Sequence, residues 1–308
     1  MRMLCSTKNG TEKGDGDTMT APGIENIIVV GGGLQGCGIA TLFARAGIGV
    51  VLYHPRPSAP RYRPDGVSVT DTLPTQAPDL IVESVPEVLD TKIEMFRRME
   101  EAYGDRPILA SNTSGLPLED MAAALERPER FLGMHFFTPA EVSPLVEVIR
   151  VAATDVEALT RVEAVLARAG RDALMVSSPV VGYIWNRLQH ALLHEAYYLI
   201  EHDIARPEDI DAVARRLFGP RFCVTGLIES KDIGGLAMHA DAQDAIVPHL
   251  NASRVASPIL RRMVEKGDIG LRSGRGFYDW RGRDADAVMA TNADKLRRLN
   301  AFLESEDD

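Results

Sequence analysis

Cysteine is scarce in this sequence. The 308 residues include three cysteines, Cys5, Cys37 and Cys223. Their odd number and the lack of any paired spacing give no sign of a disulfide framework or of a metal site. We therefore expect a protein of the reducing cytoplasm without a bound metal.

Long apolar runs and an excess of positive charge are also missing. No apolar run approaches the roughly 20 residues of a membrane span, and the chain does not open with a basic region followed by an apolar segment. The formal net charge of −10 argues against a nucleic-acid surface. We expect neither a membrane nor a nucleic acid as partner. Residues 1–23 have little apolar content and predict a disordered leader.

A glycine-rich stretch follows the first apolar run. Residues 26–30 predict a buried parallel strand that leads into Gly31-Gly-Gly-Leu-Gln-Gly36, which contains the pattern G-x-G-x-x-G. An amphipathic helix and a second strand, residues 49–53, come next. This context indicates a dinucleotide-binding fold, in which glycines let the backbone approach a pyrophosphate at the helix N-terminus. The candidate cofactor-binding residues here are Gly31, Gly33, Leu34, Gln35 and Gly36.

The residue that ends the second strand departs from the usual NAD pattern. An acidic side chain at this position would hold the adenosine ribose hydroxyls, but the sequence has His54, followed by Arg56, Arg61 and Arg63 in a proline-rich loop. A guanidinium suits a 2′-phosphate, because a charge-assisted hydrogen bond contributes about 1.5–3 kcal/mol. The loop therefore favours NADP(H) slightly over NAD(H), with His54 and Arg56 as cofactor-binding candidates. The alternative is a solvated basic loop in which His54 bonds the ribose.

The order of the predicted elements indicates two domains. The chain is 45% hydrophobic, enough for one large core or two smaller ones. Strands and helices alternate up to Ser178, and the pattern from Tyr183 onwards is almost entirely helical. We predict an α/β fold: an N-terminal Rossmann-type doubly wound sheet, followed by an all-α C-terminal domain. The predicted boundaries are 24–178 for the dinucleotide-binding domain, 179–282 for the helical substrate and dimerisation domain, and 283–308 for a C-terminal tail.

One histidine and one glutamate lie on two short apolar runs. His135 belongs to the first run and Glu147 to the second, with a proline-containing turn from Thr138 to Pro144 between them. Two adjacent strands would bring the side chains together, and a histidine held by a glutamate can move a proton on and off a hydroxyl near neutral pH. On this window alone, a satisfied core histidine and an ordinary strand-edge glutamate are the more frequent explanation.

Other polar residues follow the ends of predicted strands. Glu87 follows one strand, and Asn112 and Ser114 follow the next. Ligands in open α/β sheets bind where strands end, so we expect all three residues on the cofactor side. Taken alone, Ser114 is more often a helix cap or turn residue, and Asn186 with Arg187 reads as an exposed polar pair.

Seven windows occur in order along the chain. They are Val30–Ala40, Glu83–Glu87, Leu109–Ser114, Gly133–Pro139, Leu145–Val148, Ile184–Leu188 and Gly274–Trp280. Together they resemble the L-3-hydroxyacyl-CoA dehydrogenase family over roughly residues 25–280. No single window is specific, but the ordered set is.

The resemblance implies roles for the catalytic candidates. His135 corresponds to the family's acid/base and Glu147 to its orienting partner. Ser114 and Asn186 match the residues that hold the substrate oxygen, and Asn186 is expected from the helical domain. The implied activity is an NAD(P)-dependent interconversion of 3-hydroxyacyl and 3-ketoacyl substrates, in which His135 exchanges the hydroxyl proton.

The resemblance also implies cofactor contacts and an assembly. Glu87, Lys92 and Asn112 match positions that line the nicotinamide end of the cofactor. Arg272 stands where the family usually has a lysine and is included with the cofactor-binding candidates. The family's helical domain usually forms a dimer, so we expect a homodimer with a small-molecule acyl substrate.

Two further departures from the family leave the substrate open. Thr138 stands where the family motif has asparagine. The long helical hairpin with which relatives contact coenzyme A is expected to be missing, because few residues separate His54 from Glu83 and they are rich in proline. The alternative substrate is a free or carrier-protein-bound β-hydroxy acid or a diketone. A non-enzymatic nucleotide-binding protein is a third possibility, since folds are reused without their chemistry.

Overall fold

One sheet organises the N-terminal part of the protein. The computed structural model describes residues 23–54, 64 and 66–306. Within these residues the sheet has the strand order β3-β2-β1-β4-β5-β6-β7-β8. The strands are β1 (Asn26–Val30), β2 (Gly49–Tyr53), β3 (Ser68–Thr70), β4 (Leu80–Glu83), β5 (Ile108–Ser111), β6 (Phe131–Phe136), β7 (Leu145–Ile149) and β8 (Asp172–Val176). All neighbours are parallel except β6 and β7. The strand order reverses beside β1, which is where open α/β sheets bind ligands.

Helices cover both faces of the sheet. They are α1 (Leu34–Arg45), α2 (Leu89–Tyr103), α3 (Leu118–Ala123) and α4 (Val156–Arg168). Alternate residues of β1 point to opposite faces, so Ile27 and Val29 pack in one apolar cluster and Ile28 and Val30 in another. The first cluster contains residues of α1 and α4, and the second contains residues of α2 and α3. Burial on both faces explains the continuous apolar runs in the sequence.

The segment after β8 packs with the sheet. Tyr183 is buried in the second apolar cluster. The first compact unit of the chain extends to Asn186, and the second begins at Arg187. The first compact unit thus extends past the boundary predicted near Ser178, because Tyr183 still belongs to the core of the sheet. The predicted domain bounds stay a prediction.

The second unit is built from helices. The helix α5 (Trp185–Glu201) leads into it, and the others are α6 (Pro207–Val213), α7 (Gly219–Thr225), α8 (Glu229–Gly234), α9 (Leu236–Ile246), α10 (Pro258–Glu265) and α11 (Ala285–Glu306). Residues 214–218, between α6 and α7, form a π-helical turn. The predicted fold class, a doubly wound sheet followed by a helical part, is confirmed. The strand β3 was not predicted. The helices α7 and α8 lie outside the predicted helical ranges 183–203, 207–217, 236–250 and 257–266.

The region between β2 and β4 bears on the predicted loss of the hairpin. Among residues 66–79 the structure has the short strand β3 and no helix. Residues 55–63 and 65, which include Arg56, lie outside the described residues, as does the predicted leader up to residue 22. In the described part of the chain, no helix is both long and apolar enough to cross a membrane.

Candidate active site

The register of two strands pairs His135 with Glu147. Strands β6 and β7 are antiparallel, and the two residues lie directly opposite each other. A parallel return needs a crossover of a dozen or more residues, whereas only residues 137–144 connect these strands. Nδ1 of His135 lies 2.7 Å from Oε2 of Glu147. The two side chains therefore meet as predicted, and their role in catalysis stays a prediction.

Glu147 is held as a carboxylate in the interior. It is 0% exposed, and its second oxygen, Oε1, accepts hydrogen bonds from the backbone N–H groups of Ile184 and Trp185, both at 2.9 Å. Burial by itself raises the pKa of Glu147, but the hydrogen bonds from His135 and from the two backbone groups more than offset it. The pKa of this carboxyl therefore lies below its ordinary value.

The carboxylate fixes which nitrogen of His135 is available. An ionised carboxylate only accepts hydrogen bonds, so Nδ1 carries a proton and the neutral ring presents a lone pair at Nε2. Nε2 lies 3.2 Å from Oγ of Ser114. His135 is buried, whereas Ser114 is an exposed residue. The histidine can thus exchange a proton at Nε2, beside the hydroxyl of Ser114.

Aromatic side chains surround the histidine ring. The centroids of Phe137 and Tyr183 lie 5.3 and 5.4 Å from that of His135, and Trp185 packs on Phe137 at 5.5 Å. Tyr183 has a φ of 47°, a left-handed conformation that is unusual for a large side chain. Its buried hydroxyl has no hydrogen-bond partner among the described residues. Burial, with the nearby carboxylates of Glu87 and Glu147, raises the pKa of this hydroxyl, so it stays protonated.

A chain of charged side chains leads from the interior to Ser114. Nζ of Lys92 contacts Oε1 of Glu83 at 2.6 Å and Oε2 of Glu87 at 3.3 Å. Oε1 of Glu87 accepts hydrogen bonds from Oγ1 of Thr113 at 2.5 Å and from the backbone N–H of Ser114 at 2.9 Å. Burial raises the pKa of Glu87, but Thr113, Lys92 and Ser114 lower it below its ordinary value. Glu87 is 46% exposed, whereas Lys92 is 1% exposed.

Asn112 and Gln35 connect the ends of neighbouring elements. Oδ1 of Asn112 accepts from the backbone N–H of Phe136 at 2.9 Å, and its amide donates to Oγ of Ser84 at 3.3 Å. Nε2 of Gln35 donates to the carbonyl of Phe136 at 2.9 Å. Both side chains therefore fix the end of β6, immediately after His135. Their predicted cofactor contacts stay predictions.

The glycine loop brings backbone atoms close together at two of its three glycines. A Cβ on Gly31, whose φ is 112°, would lie 2.4 Å from the carbonyl oxygen of Ser84, and one on Gly36 would lie 1.8 Å from that of Gly31. A Cβ on Gly33 would meet nothing within 4 Å, and Leu34 is exposed. Two glycines thus allow close backbone packing, while the third leaves the N-terminal end of α1 open. This surface fits a pyrophosphate.

His54 rests on this loop. Its Nδ1 accepts a hydrogen bond from the backbone N–H of Gly32 at 3.3 Å, and a Cβ on Gly32 would meet its ring at 2.8 Å. Accepting at Nδ1 leaves the proton of the neutral ring on Nε2. The side chain predicted at the adenosine ribose is therefore anchored to the loop that would hold the pyrophosphate.

Asn186 and Arg272 are the two remaining predicted site residues. Asn186 is half-buried in the first turn of α5, the last residue of the first unit. Arg272 belongs to the second unit, where its guanidinium pairs with Asp286 at 3.0 Å. Their contacts with substrate and cofactor stay predictions.

Sequence reasoning gave no role to Glu83, Thr113 or Tyr183. The signal for Glu83 was present, because it is a charged residue at the end of an otherwise apolar strand. Buried charges need partners, and Lys92 is the partner. Nothing in the sequence singled out Thr113 or Tyr183.

Comparison with known proteins identifies the family. Residues 65–178 match the NAD-binding domain of 3-hydroxyacyl-CoA dehydrogenase, and residues 182–280 match its C-terminal domain. A probable 3-hydroxybutyryl-CoA dehydrogenase of Bacillus subtilis is 33% identical over 284 residues, 83% of this chain and 98% of the relative. A 5-formyl-3-hydroxy-2-methylpyridine 4-carboxylate 5-dehydrogenase of Mesorhizobium japonicum is 28% identical over 308 residues, 92% of this chain and all of the relative.

Solved structures of similar enzymes resemble this protein over most of the chain. The crystal structure of an NAD+-dependent 5-dehydrogenase of the same pyridine carboxylic acid has a TM-score of 0.85 at 28% identity, covering 91% of this chain and 99% of that one. A diketoreductase has a TM-score of 0.63 at 26% identity, covering 84% and 99%. The chain therefore belongs to the 3-hydroxyacyl-CoA dehydrogenase family, the oxidoreductases of CH–OH groups that carry an NAD-binding domain.

Proposed function

We propose that this protein interconverts a 3-hydroxyacyl and a 3-ketoacyl substrate with NAD(H), and that His135 is its acid/base. The observation that carries this proposal is the pair formed by Nδ1 of His135 and Oε2 of Glu147 at 2.7 Å, with Nε2 left facing Ser114. The pair lies at the end of β6, whose last carbonyl is bonded by Gln35 of the glycine loop. The proton-transfer group and the proposed cofactor surface are thus built on the same edge of the sheet.

The residues divide the reaction between them. In the oxidation, Nε2 of His135 takes the proton of the secondary alcohol, and Glu147 stabilises the imidazolium that forms, as the carboxylate of a hydrolase triad does. Ser114 and Asn186 hold the substrate oxygen. The glycine loop Gly31–Gly36 would hold NAD+, which would supply the acceptor for the hydride that leaves the carbinol carbon. In the reduction His135 returns its proton to the oxygen. A base of this kind contributes about 10²–10⁴-fold to the rate.

The cofactor preference needs its own test. The NAD-binding domain of the family and the NAD+-dependent relative support NAD(H), and neither supports a preference for NADP(H). The preference for NADP(H) predicted from His54 and Arg56 stays a prediction. Fluorescence titration of the purified protein with NADH and NADPH measures it directly, and tighter binding of NADH would overturn it.

A second candidate function differs in the carrier of the substrate. Residues 66–79 contain no helix that could serve as the coenzyme A arm, and the two similar solved structures are of enzymes named for a pyridine carboxylic acid and for diketones. The alternative is therefore a dehydrogenase of a free or carrier-protein-bound β-hydroxy acid or of a diketone. Parallel assays with acetoacetyl-CoA, free β-keto acids and a diketone separate the two functions.

We also propose a homodimer formed through the second unit. Among its described residues only Ser257 is buried, whereas many large apolar side chains are exposed, including Leu192, Val224, Ile228 and Ile233 at 55–82%. Large exposed apolar patches usually mark an interface, and a second copy of the chain would cover them. Sedimentation equilibrium tests this, and a monomer at micromolar concentration would contradict it. The cytoplasmic location stays a prediction from the sequence.

The decisive test of the function is His135→Gln. We expect turnover of acetoacetyl-CoA with NADH to fall by about 10²–10⁴-fold, while NADH binding, measured by fluorescence, is kept. The matched control is His202→Gln, which changes an exposed histidine that bonds the carbonyl of Tyr198 in α5 and should leave turnover unchanged. Equal turnover in the His135 variant and the wild type would refute the assignment.

A further inference from the structure

Glu83 is a buried carboxylate that the proposed mechanism does not use. It ends β4 and is 0% exposed. Its Oε1 accepts hydrogen bonds from the backbone N–H of Val85 and from Nζ of Lys92, both at 2.6 Å, and its Oε2 accepts from Oγ of Ser111 at 2.7 Å. The pKa of Glu83 lies above its ordinary value, because burial outweighs the opposing effects of Lys92, Ser111 and the Val85 N–H. Both oxygens are enclosed by these partners, and Glu83 has no exposed surface.

Lys92 divides its charge between two carboxylates. Its ammonium contacts Oε1 of Glu83, the carbonyl of Val85 at 3.2 Å and Oε2 of Glu87 at 3.3 Å. An ammonium has three donors, so these three contacts use all of them. The shorter distance to Glu83 shows that the buried carboxylate is the closer partner.

Glu87 connects Lys92 to the proposed acid/base site. Its Oε1 holds Oγ1 of Thr113 and the backbone N–H of Ser114, and Oγ of Ser114 faces Nε2 of His135. The position of Ser114 beside His135 therefore depends on Glu87 staying with residues 113–114.

We propose that Glu83 is a positioning residue for the acid/base site: its charge holds Lys92, which leaves Glu87 on the Ser114 loop and keeps the Ser114 hydroxyl at Nε2 of His135. This inference rests on the proposed roles of His135 and Ser114. The physical reason is electrostatic. If Glu83 is neutral, Lys92 is balanced by Glu87 alone, and attraction between opposite charges in a poorly solvated site draws Glu87 off Thr113 and Ser114.

Glu83→Gln tests this, because glutamine keeps the size of the side chain and removes the charge. We expect kcat at saturating NADH to fall by about tenfold, with little change in the KM of the substrate. The matched control is Glu100→Gln. Glu100 is a buried carboxylate too, but it lies in α2 and accepts hydrogen bonds from the backbone N–H groups of Glu126 and Arg127. This variant should lower stability without lowering kcat.

A double-mutant cycle separates positioning from a general loss of structure. In a Ser114→Ala background the hydroxyl that Glu83 positions is gone, so Glu83→Gln should lower kcat little further, whereas independent effects would multiply. A second variant, Glu83→Gln with Lys92→Met, removes both buried charges. It should fold even where the single variant does not, and it should have a higher kcat than the single variant, because nothing then draws Glu87 away. Equal losses in both backgrounds would overturn the proposal.

One readout needs no turnover. The ¹⁵N resonance of His135 Nε2, observed in the apo protein, should respond to Ser114→Ala and to Glu83→Gln in the same direction and should not respond to Glu100→Gln. If no substrate is turned over but the resonance responds in this way, the proposed function fails and the positioning by Glu83 stands. If turnover is found but the resonance ignores Glu83→Gln, the positioning is wrong and the proposed function stands.

Discussion

Replacing Glu147 by glutamine reverses the proton arrangement of the proposed acid/base pair. Oε1 of Glu147 accepts hydrogen bonds from the backbone N–H groups of Ile184 and Trp185. In the variant, the amide oxygen of the glutamine will take the place of Oε1, because only an oxygen can accept these two hydrogen bonds. Its NH2 group must then face Nδ1 of His135. Because an NH2 group only donates, Nδ1 becomes an acceptor and the proton of the neutral ring moves to Nε2. The nitrogen that should take the proton of the alcohol is then occupied.

The size of the effect follows from the bond that is lost. A hydrogen bond to a charged group contributes about 1.5–3 kcal/mol, and each 1.36 kcal/mol corresponds to a tenfold change in rate, so kcat should fall by roughly 10- to 150-fold. The three hydrogen bonds of Glu147 go to His135, Ile184 and Trp185, whereas the proposed pyrophosphate surface is the glycine loop. The affinity for NADH should therefore change little.

The same substitution has a pH-dependent effect on stability. The pKa of Glu147 in the folded protein lies below the ordinary value of 4.5. A carboxyl whose pKa falls on folding contributes stability that is complete above its unfolded pKa and is lost as the pH falls through the folded one. The free energy of unfolding of the wild type should therefore exceed that of Glu147→Gln most near neutral pH. The difference should shrink as the pH falls below 4.5.

Steady-state kinetics, NADH titration and urea unfolding at neutral and acidic pH measure these three effects. Glu100→Gln serves as the control for the loss of a buried carboxylate elsewhere on the sheet unit. A folded Glu147→Gln protein with kcat within about threefold of the wild type would refute the reasoning, because that factor is smaller than the loss of one charge-assisted bond.

Four other substitutions test separate parts of the site. Gly31→Ala should destabilise the protein by at least about 1–3 kcal/mol, because of its positive φ and the nearby Ser84 carbonyl; Gly33→Ala, where a Cβ meets nothing, should leave the melting temperature unchanged and weaken NADH binding. An equal melting temperature for both would contradict this. His54→Asp should shift the ratio of NADH to NADPH affinity towards NADH by roughly tenfold, as measured by titration; an unchanged ratio would remove His54 from cofactor selection. Tyr183→Phe should not lower the melting temperature, because an unpaired buried hydroxyl costs about 1–3 kcal/mol; a lower one would reveal a partner for the hydroxyl.

Local patterns predicted the central pair of the site well. His135 and Glu147 lie on short apolar runs, and the turn between them is too short for a crossover connection. Those two facts favour adjacent antiparallel strands, and the structure shows the register that pairs His135 with Glu147. The role of the pair in catalysis is a separate matter that rests on the resemblance and on the proposed assay.

The elements that were missed have local causes. Residues 68–70, Ser-Val-Thr, are too short and too polar to stand out as a strand, and they form one only because they lie beside β2 at the edge of the sheet. Gly219-Pro220 and Gly226 read as breaks in a sequence. In the structure the first pair opens α7 directly after the π-helical turn, and the second ends it.

Partners that lie far apart in the chain were beyond prediction. The amide of Gln35 and the carbonyl of Phe136 are separated by 101 positions. They meet because β1 and β6 belong to one sheet of a particular strand order. The sequence pattern predicts most of the strands but not their order in the sheet. That order decides which side chains and backbone groups meet at the strand ends.

Lys92 shows that a role transferred from related proteins depends on the partners that a residue has in this fold. The resemblance assigns it to the nicotinamide end of the cofactor, yet its side chain is 1% exposed and its ammonium is bonded to Glu83, Glu87 and Val85. Its charge can act on a ligand only through a neighbour or after a rearrangement, and Glu87, at 46% exposure, is the neighbour that reaches the surface. The charge of Lys92 would therefore act on a cofactor at this edge through the carboxylate of Glu87, which also holds Ser114. Cofactor binding and the position of the acid/base site would then be coupled through one side chain.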